Sequence, residues 1–218
     1  MKITLIYTGV LFVRTYCFKV DDATMAVVDP GGADEELVDY LKESGTKTLS
    51  IMLTHGHFDH VGGVADLLHL YPDSKIYIHR DDRVYLGDTG VAEHLKCFAP
   101  IRADRYIKQY EAVHKTFPQP TDLLQDGDTI NGFTVIHTPG HTPGSVCFYS
   151  AAEKVLFSGD TLLRHARGRT DLYGCSETAI AASLKKLLHL PGETVVYPGH
   201  GAETTIAEER RVQIEYLA

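Results

Sequence analysis

Runs of apolar and β-branched residues open the chain, broken by short polar segments. Residues 2–7, 11–20 and 24–29 read as strands, in an order that predicts an antiparallel meander. Asp29-Pro30-Gly31-Gly32 ends that pattern. The apolar spacing then turns helical. Residues 34–44 put Leu37, Val38 and Leu41 on one face, and Gly45 supplies a stop. Residues 48–53 are an apolar strand that runs straight into Thr54-His55-Gly56-His57-Phe58-Asp59-His60, which places that motif in the loop at the strand's C-terminal end. A helix over 61–70 ends before Pro72, and a strand covers 75–79.

Residues 80–120 change character. They are charged and aromatic, with Pro100, Pro118 and Pro120 between helical stretches, and read either as a mostly helical insertion, a lid, or as an irregular connection. Strand patterns return at 133–138, 145–150 and 154–158, with Ala151–Glu153 closing a hairpin. Residues 176–189 form an amphipathic helix capped by Ser176, with Ile180, Leu184, Leu187 and Leu188 inward. A strand at 194–197 and a helix at 203–216 complete the chain. No linker or repeat interrupts it, so residues 1–218 are expected to form one domain. Two strand-rich halves, each finished by helices, predict an α/β architecture of two packed sheets with helices outside.

Composition narrows the function classes. The chain has 218 residues, of which 44% are apolar, enough for a sizeable core. A net charge of −8 argues against a nucleic-acid partner. No apolar run reaches the ~20 residues of a membrane span, and the opening MKITLIYTGVLFV lacks the charge pattern and cleavage site of a signal peptide. Cys17, Cys97, Cys147 and Cys175 are dispersed with no CxxC pair, as expected of reduced thiols. A cytoplasmic protein acting on a small molecule, with no membrane and no nucleic-acid partner, is the expectation.

The candidate chemistry sits in His55-x-His57-x-Asp59-His60. Four donors within six residues are costly to bury without an ion to compensate them. One loop cannot complete two sites, because each ion needs three or four N, O or S ligands. Further donors follow other strands: His141 in TPGHTPGS, Asp160 in SGDT and His200 in YPGHG. These strand ends are expected to meet on one rim. His165, five residues past Asp160, and Arg169, in GRTD, are candidates for substrate contact. A solvent-exposed loop residue for the first and an ion pair with Asp171 for the second are the plainer readings.

In these motifs the chain resembles the metallo-β-lactamase superfamily over nearly its whole length: Asp29 in VVDPGG, THGHFDH, then His141, Asp160 and His200 in order. The resemblance implies an αββα sandwich with two divalent metal ions at one edge, zinc first, with iron or manganese accepted by the same donor types. It implies that His55, His57 and His141 hold one metal, that Asp59, His60 and His200 hold the other, and that Asp160 bridges them. Asp29 would orient the loop without binding metal. TPGHTPGS, SGDTLL, GRTD and PGHG followed by TTIAEER are similar to the glyoxalase II-like (hydroxyacylglutathione hydrolase-like) branch, and the length matches its short members, which lack the helical domain that contacts glutathione. β-Lactamases of the best-known class carry Cys where this chain has Asp160, which argues against β-lactam hydrolysis.

The resemblance thus implies a metallohydrolase acting on a hydroxyacyl thioester such as S-lactoylglutathione. A thiol leaving group, with a reference pKa of ~8.5, departs without a strong general acid, in keeping with a sequence that offers none beyond the ligands. Asp160 and Asp59 are the candidate catalytic carboxylates, Asp59 also as a proton relay. The rivals are a persulfide dioxygenase holding one iron on His55, His141 and Asp160, a lactonase, and a phosphodiesterase.

Overall fold

The computed structural model describes residues 1–213. Its first sheet contains β1 (Thr4–Thr8), β2 (Val13–Lys19), β3 (Thr24–Val28), β4 (Thr48–Met52), β5 (Lys75–His79) and β6 (Asp122–Leu124), in that spatial order. The first three strands form the expected antiparallel meander. From β3 onward neighbours run parallel, because a helical crossover separates each pair. Those crossovers begin with α1 (Glu35–Glu43), α2 (Phe58–Val61) and α3 (Val64–Leu70). The motif expected wholly within a loop is therefore divided. His55 and His57 lie on the loop, but Asp59 and His60 belong to α2, a single helical turn. The helix expected over 61–70 starts only at Val64, after Gly62-Gly63.

The insertion holds α4 (Gly90–Phe98) and α5 (Asp104–His114) with 3-10 turns around them. Tyr85, Cys97, Phe98 and Ile107 bury there against Leu172, so this segment is a packed wall rather than a loose connection. The second half supplies β7 (Thr129–Ile130), β8 (Phe133–His137), β9 (Val146–Ser150), β10 (Val155–Gly159), β11 (Leu162–Leu163), β12 (Ala166–Arg167), β13 (Val195–Pro198) and β14 (Thr204–Thr205). Six of these form the second sheet, in the order β14-β13-β10-β9-β8-β7, while β11 and β12 make a separate hairpin. The two-residue strands left no periodicity to read. The last helix, α7 (Ile206–Val212), is shorter than the expected 203–216: residues 204–205 are strand, and 214–216 lie outside the described residues.

Three apolar layers hold the sheets and helices together. Tyr16, Phe18, Val28, Phe133, Phe148 and Phe157 fill the space between the sheets. Leu37, Leu41, Val64 and Leu67 of α1 and α3 cover the outer face of the first sheet. On the second sheet, Ile180, Leu184 and Leu187 of α6 (Glu177–Leu188) do the same. Each fully buried Leu or Ile contributes roughly 1.5–3 kcal/mol. Ser176 caps α6 by accepting the Ala179 N–H at 3.3 Å, a contact of about 1 kcal/mol. The result is the expected αββα sandwich. Among the described residues, no helix is long and apolar enough to cross a membrane.

Candidate metal centre

His55 follows β4, His141 follows β8, Asp160 follows β10 and His200 follows β13. The Val146 N–H donates to the Thr54 carbonyl at 2.8 Å, which joins the second sheet to the His55 loop at this edge. The fold thereby gathers all seven candidate donors. His55, His57 and His141 offer ring nitrogens within 4.8 Å of one another, and so do Asp59, His60 and His200 with one atom each. Asp160 lies between the two groups. Its Oδ1 is 3.6 Å from His60 Nε2, while Oδ2 is 3.7 Å from His141 Nε2 and 3.8 Å from His200 Nε2.

The donors are oriented from behind. His141 Nδ1 donates to the Arg169 carbonyl at 2.9 Å, which leaves Nε2 as its lone-pair nitrogen. His60 Nδ1 donates to Asp29 Oδ2 at 3.0 Å, again freeing Nε2. The same Asp29 carboxylate accepts the Thr54 N–H and hydroxyl at 2.7 and 2.6 Å. Asp29 thus fixes the His55 loop and the His60 ring together, with its backbone in the left-handed region at φ 52°. His55 Nδ1 meets Thr54 Oγ1 at 3.1 Å. The His57 ring stands edge-on to Phe98 and Tyr85, with Cys97 Sγ 3.5 Å from its Nε2. A Cβ on Gly199 would land on Asp160 Oδ1 and His60 Cε1, so only glycine lets the His200 turn approach this closely.

His55 Nε2, His60 Nε2 and Asp160 Oδ1 are fully buried and have no hydrogen-bond partner. Buried polar atoms are normally satisfied, and each orphan costs about 1–3 kcal/mol. Three of them in one cluster of imidazoles and carboxylates fit a pair of divalent cations, for which this is a common donor chemistry. His55, His57 and His141 would hold one ion, Asp59, His60 and His200 the other, with Asp160 between them.

Electrostatics separates the two halves. Burial drives His55, His57 and His141 below the ordinary imidazole pKa, so all three are neutral and ready to ligate. Burial also acts to lower His60, but Asp160, Asp59 and Asp29 outweigh it and carry the ring up to about 10. Without metal, His60 is therefore an imidazolium at neutral pH. Asp59 moves the opposite way: its burial is overcome by His60 and His200, which hold it well below the carboxylate range. Since a ligand must be deprotonated to bind, filling the Asp59/His60/His200 half is expected to release one proton. Its affinity should rise about tenfold per pH unit below pH ~10, while the His55/His57/His141 half changes little above pH 7. Calorimetric zinc titration in buffers of different ionisation enthalpy measures this, and a second equivalent bound without proton release contradicts it.

Some residues stand apart from the expectations. The structure turns His165 toward α7, where its Nε2 meets Glu208 at 2.7 Å and its backbone N–H donates to Glu209 at 3.0 Å. It is not gathered into the cluster. The Arg169 guanidinium pairs with Asp171 at 2.7 and 2.8 Å. It also borders an apolar cavity that reaches Asp59.

Asp82 and Arg14 were not anticipated. The buried Asp82 carboxylate accepts from Gly56 N at 2.8 Å, Thr142 Oγ1 at 2.7 Å and Gly144 N at 2.6 Å. It thus clamps the loop between His55 and His57 to the turn that carries His141. The Arg14 N–H donates to the Gly199 carbonyl at 2.9 Å and its Nη1 to the Gly201 carbonyl at 2.7 Å, bracketing His200. Neither belongs to a metal-ligand spacing, and each acts on a loop remote in sequence.

Comparison with known proteins agrees with this geometry. The family model described as the metallo-beta-lactamase superfamily matches residues 8–200. The hydroxyacylglutathione hydrolase GloC of Haemophilus influenzae is 33% identical over 193 residues, covering 88% of this chain and 86% of that protein. A B3 metallo-beta-lactamase, BLEG-1, is 35% identical, with a TM-score of 0.79 over 96% of this chain and 97% of its own. TTHA1623, solved in a di-iron-bound form, is also 35% identical, with a TM-score of 0.76 over 96% and 98% of the two chains.

Proposed function

The chain belongs to the metallo-β-lactamase superfamily, and from that premise we propose that it hydrolyses a hydroxyacyl thioester, with S-lactoylglutathione as the reference substrate. The observation that carries the reading is the set of three orphaned donors, His55 Nε2, His60 Nε2 and Asp160 Oδ1, buried together at the sheet edge. The named activity of the GloC relative supports the choice of substrate. Zinc is the proposed metal, with iron or manganese suited to the same donors, as the di-iron form of TTHA1623 illustrates for that protein.

Two bound divalent ions would supply a hydroxide near neutral pH and a Lewis acid for the substrate carbonyl. The chain's own residues do the rest. Neutral His55, His57 and His141 present lone pairs because burial keeps them unprotonated. The negative charge of Asp160 spans the two halves and balances the charge gathered there. Asp59, kept ionised and hydrogen-bonded to His200 Nε2 at 3.2 Å, can accept a proton beside the reacting centre. In the overall reaction a water oxygen bonds to the acyl carbon, the C–S bond breaks, and the sulfur leaves with its electron pair. A thiolate needs no strong general acid to depart.

The test is turnover of S-lactoylglutathione by zinc-loaded protein, followed by release of free thiol. Saturable hydrolysis at roughly 1–10³ per second, lost on chelation and restored by zinc, is expected. Metal-loaded protein that leaves this thioester intact contradicts the reading. Oxygen uptake with glutathione persulfide would then move the assignment to a dioxygenase. Because BLEG-1 is titled a β-lactamase, a β-lactam is the second substrate to assay.

A further inference from the structure

A cavity of about 260 Å³ opens beside the metal cluster. Val10, Leu11, Phe58, Phe98, Ile101 and Ile107 line most of it, and the Asp59 carboxylate stands at one side. The polar contribution to its wall is small. The apolar lining extends to the surface, where Val10 and Leu11 are about half exposed and the neighbouring Phe12 is 73% exposed. Exposed apolar side chains continuous with an apolar cavity beside polar chemistry are the usual makeup of a ligand site. The inner end is fixed: Phe98 is buried and packs edge-on against His57 at 5.2 Å between centroids.

The wall is a poor match for either part of S-lactoylglutathione. Its acyl group is small and hydroxylated, and its thiol part is a charged peptide, so neither would bury apolar surface here. We propose that this cavity is the side-chain pocket for the acyl group, and that the preferred substrate is a hydroxyacyl thioester bearing a branched or aromatic apolar side chain. This inference rests on the thioesterase reading and adds the substrate class. One end of such a substrate, the hydroxyacyl carbonyl, lies at the donors. The other fills the space between α5, the Gly9–Phe12 turn and Phe98.

The comparison that isolates the pocket is phenyllactoyl against lactoyl glutathione, which differ by one phenyl group. Burial of that ring is expected to raise kcat/KM about tenfold or more. A second readout does not depend on turnover: phenyllactate should bind the zinc-loaded protein about tenfold more tightly than lactate, by calorimetry. Ala103→Trp, which fills the cavity from the start of α5, should bring both ratios close to one. Leu11→Asp, at an exposed position that the fold tolerates, should lower them as well. Equal hydrolysis of the two thioesters with equal binding of the two acids overturns the inference and leaves the thioesterase standing. No hydrolysis of either, with phenyllactate still preferred in a manner lost in Ala103→Trp, overturns the thioesterase and supports the pocket. Absence of both turnover and preference overturns both.

Discussion

Asp160→Ala is expected to lower kcat/KM by about 10³-fold or more, with metal content falling from about two ions per chain toward one. Asp160 is the one side chain that approaches both halves of the cluster, with oxygens 3.6 Å from His60 Nε2 and 3.7 Å from His141 Nε2. Its removal leaves two adjacent groups of imidazoles with one carboxylate fewer to offset the cations they gather. The same change withdraws the largest influence raising His60, so the apo protein should carry its extra proton less tightly. The fold should persist, since Asp160 Oδ1 has no partner to lose. Elemental analysis, far-UV circular dichroism and turnover on one sample check the set. An active variant retaining its full metal complement would show that Asp160 does not bridge.

Asp82→Ala should produce the largest loss that touches no metal donor. Three buried donors, Gly56 N, Gly144 N and the Thr142 hydroxyl, would lose their acceptor together. At about 1–3 kcal/mol for each unsatisfied group, the expected destabilisation is about 3–5 kcal/mol. The clamp also sets the distance between the His55/His57 loop and the His141 turn, so zinc affinity at that half should weaken by about 10–100-fold. Asp82→Asn keeps the shape and one acceptor, and should fall between wild type and Ala in both properties. Urea unfolding and competitive zinc titration measure them separately. An Asp82→Ala protein with normal zinc affinity and reduced stability would assign the residue to folding alone.

The sandwich was legible because each layer has its own periodicity. The meander before Asp29, the capped helix after Ser176 and the apolar strand before Thr54 all carry long, consistent patterns, and they define both sheets. The metal-donor candidates were legible for a related reason: a strand end is a fixed place, and HxHxDH crowds polar groups there that no ordinary loop needs. What escaped was set by tertiary pairing. β6, β7 and β14 are two or three residues long, held by neighbours rather than by their own sequence. Asp82 reads as one more acidic residue in a charged stretch, until folding brings Gly56 and Gly144 to it across 26 and 62 residues. His165 was placed near the cluster by sequence proximity to Asp160. The intervening hairpin of β11 and β12 instead carries it to Glu208.

The measurement closest to the central claim is the metal content of the purified protein, by elemental analysis after loading with zinc and removal of excess. About two ions per chain are expected, falling by about one in His60→Ala and in His141→Ala alike. Retention of one ion or fewer by the wild-type chain, unchanged in both variants, would contradict a centre built from these two groups of donors.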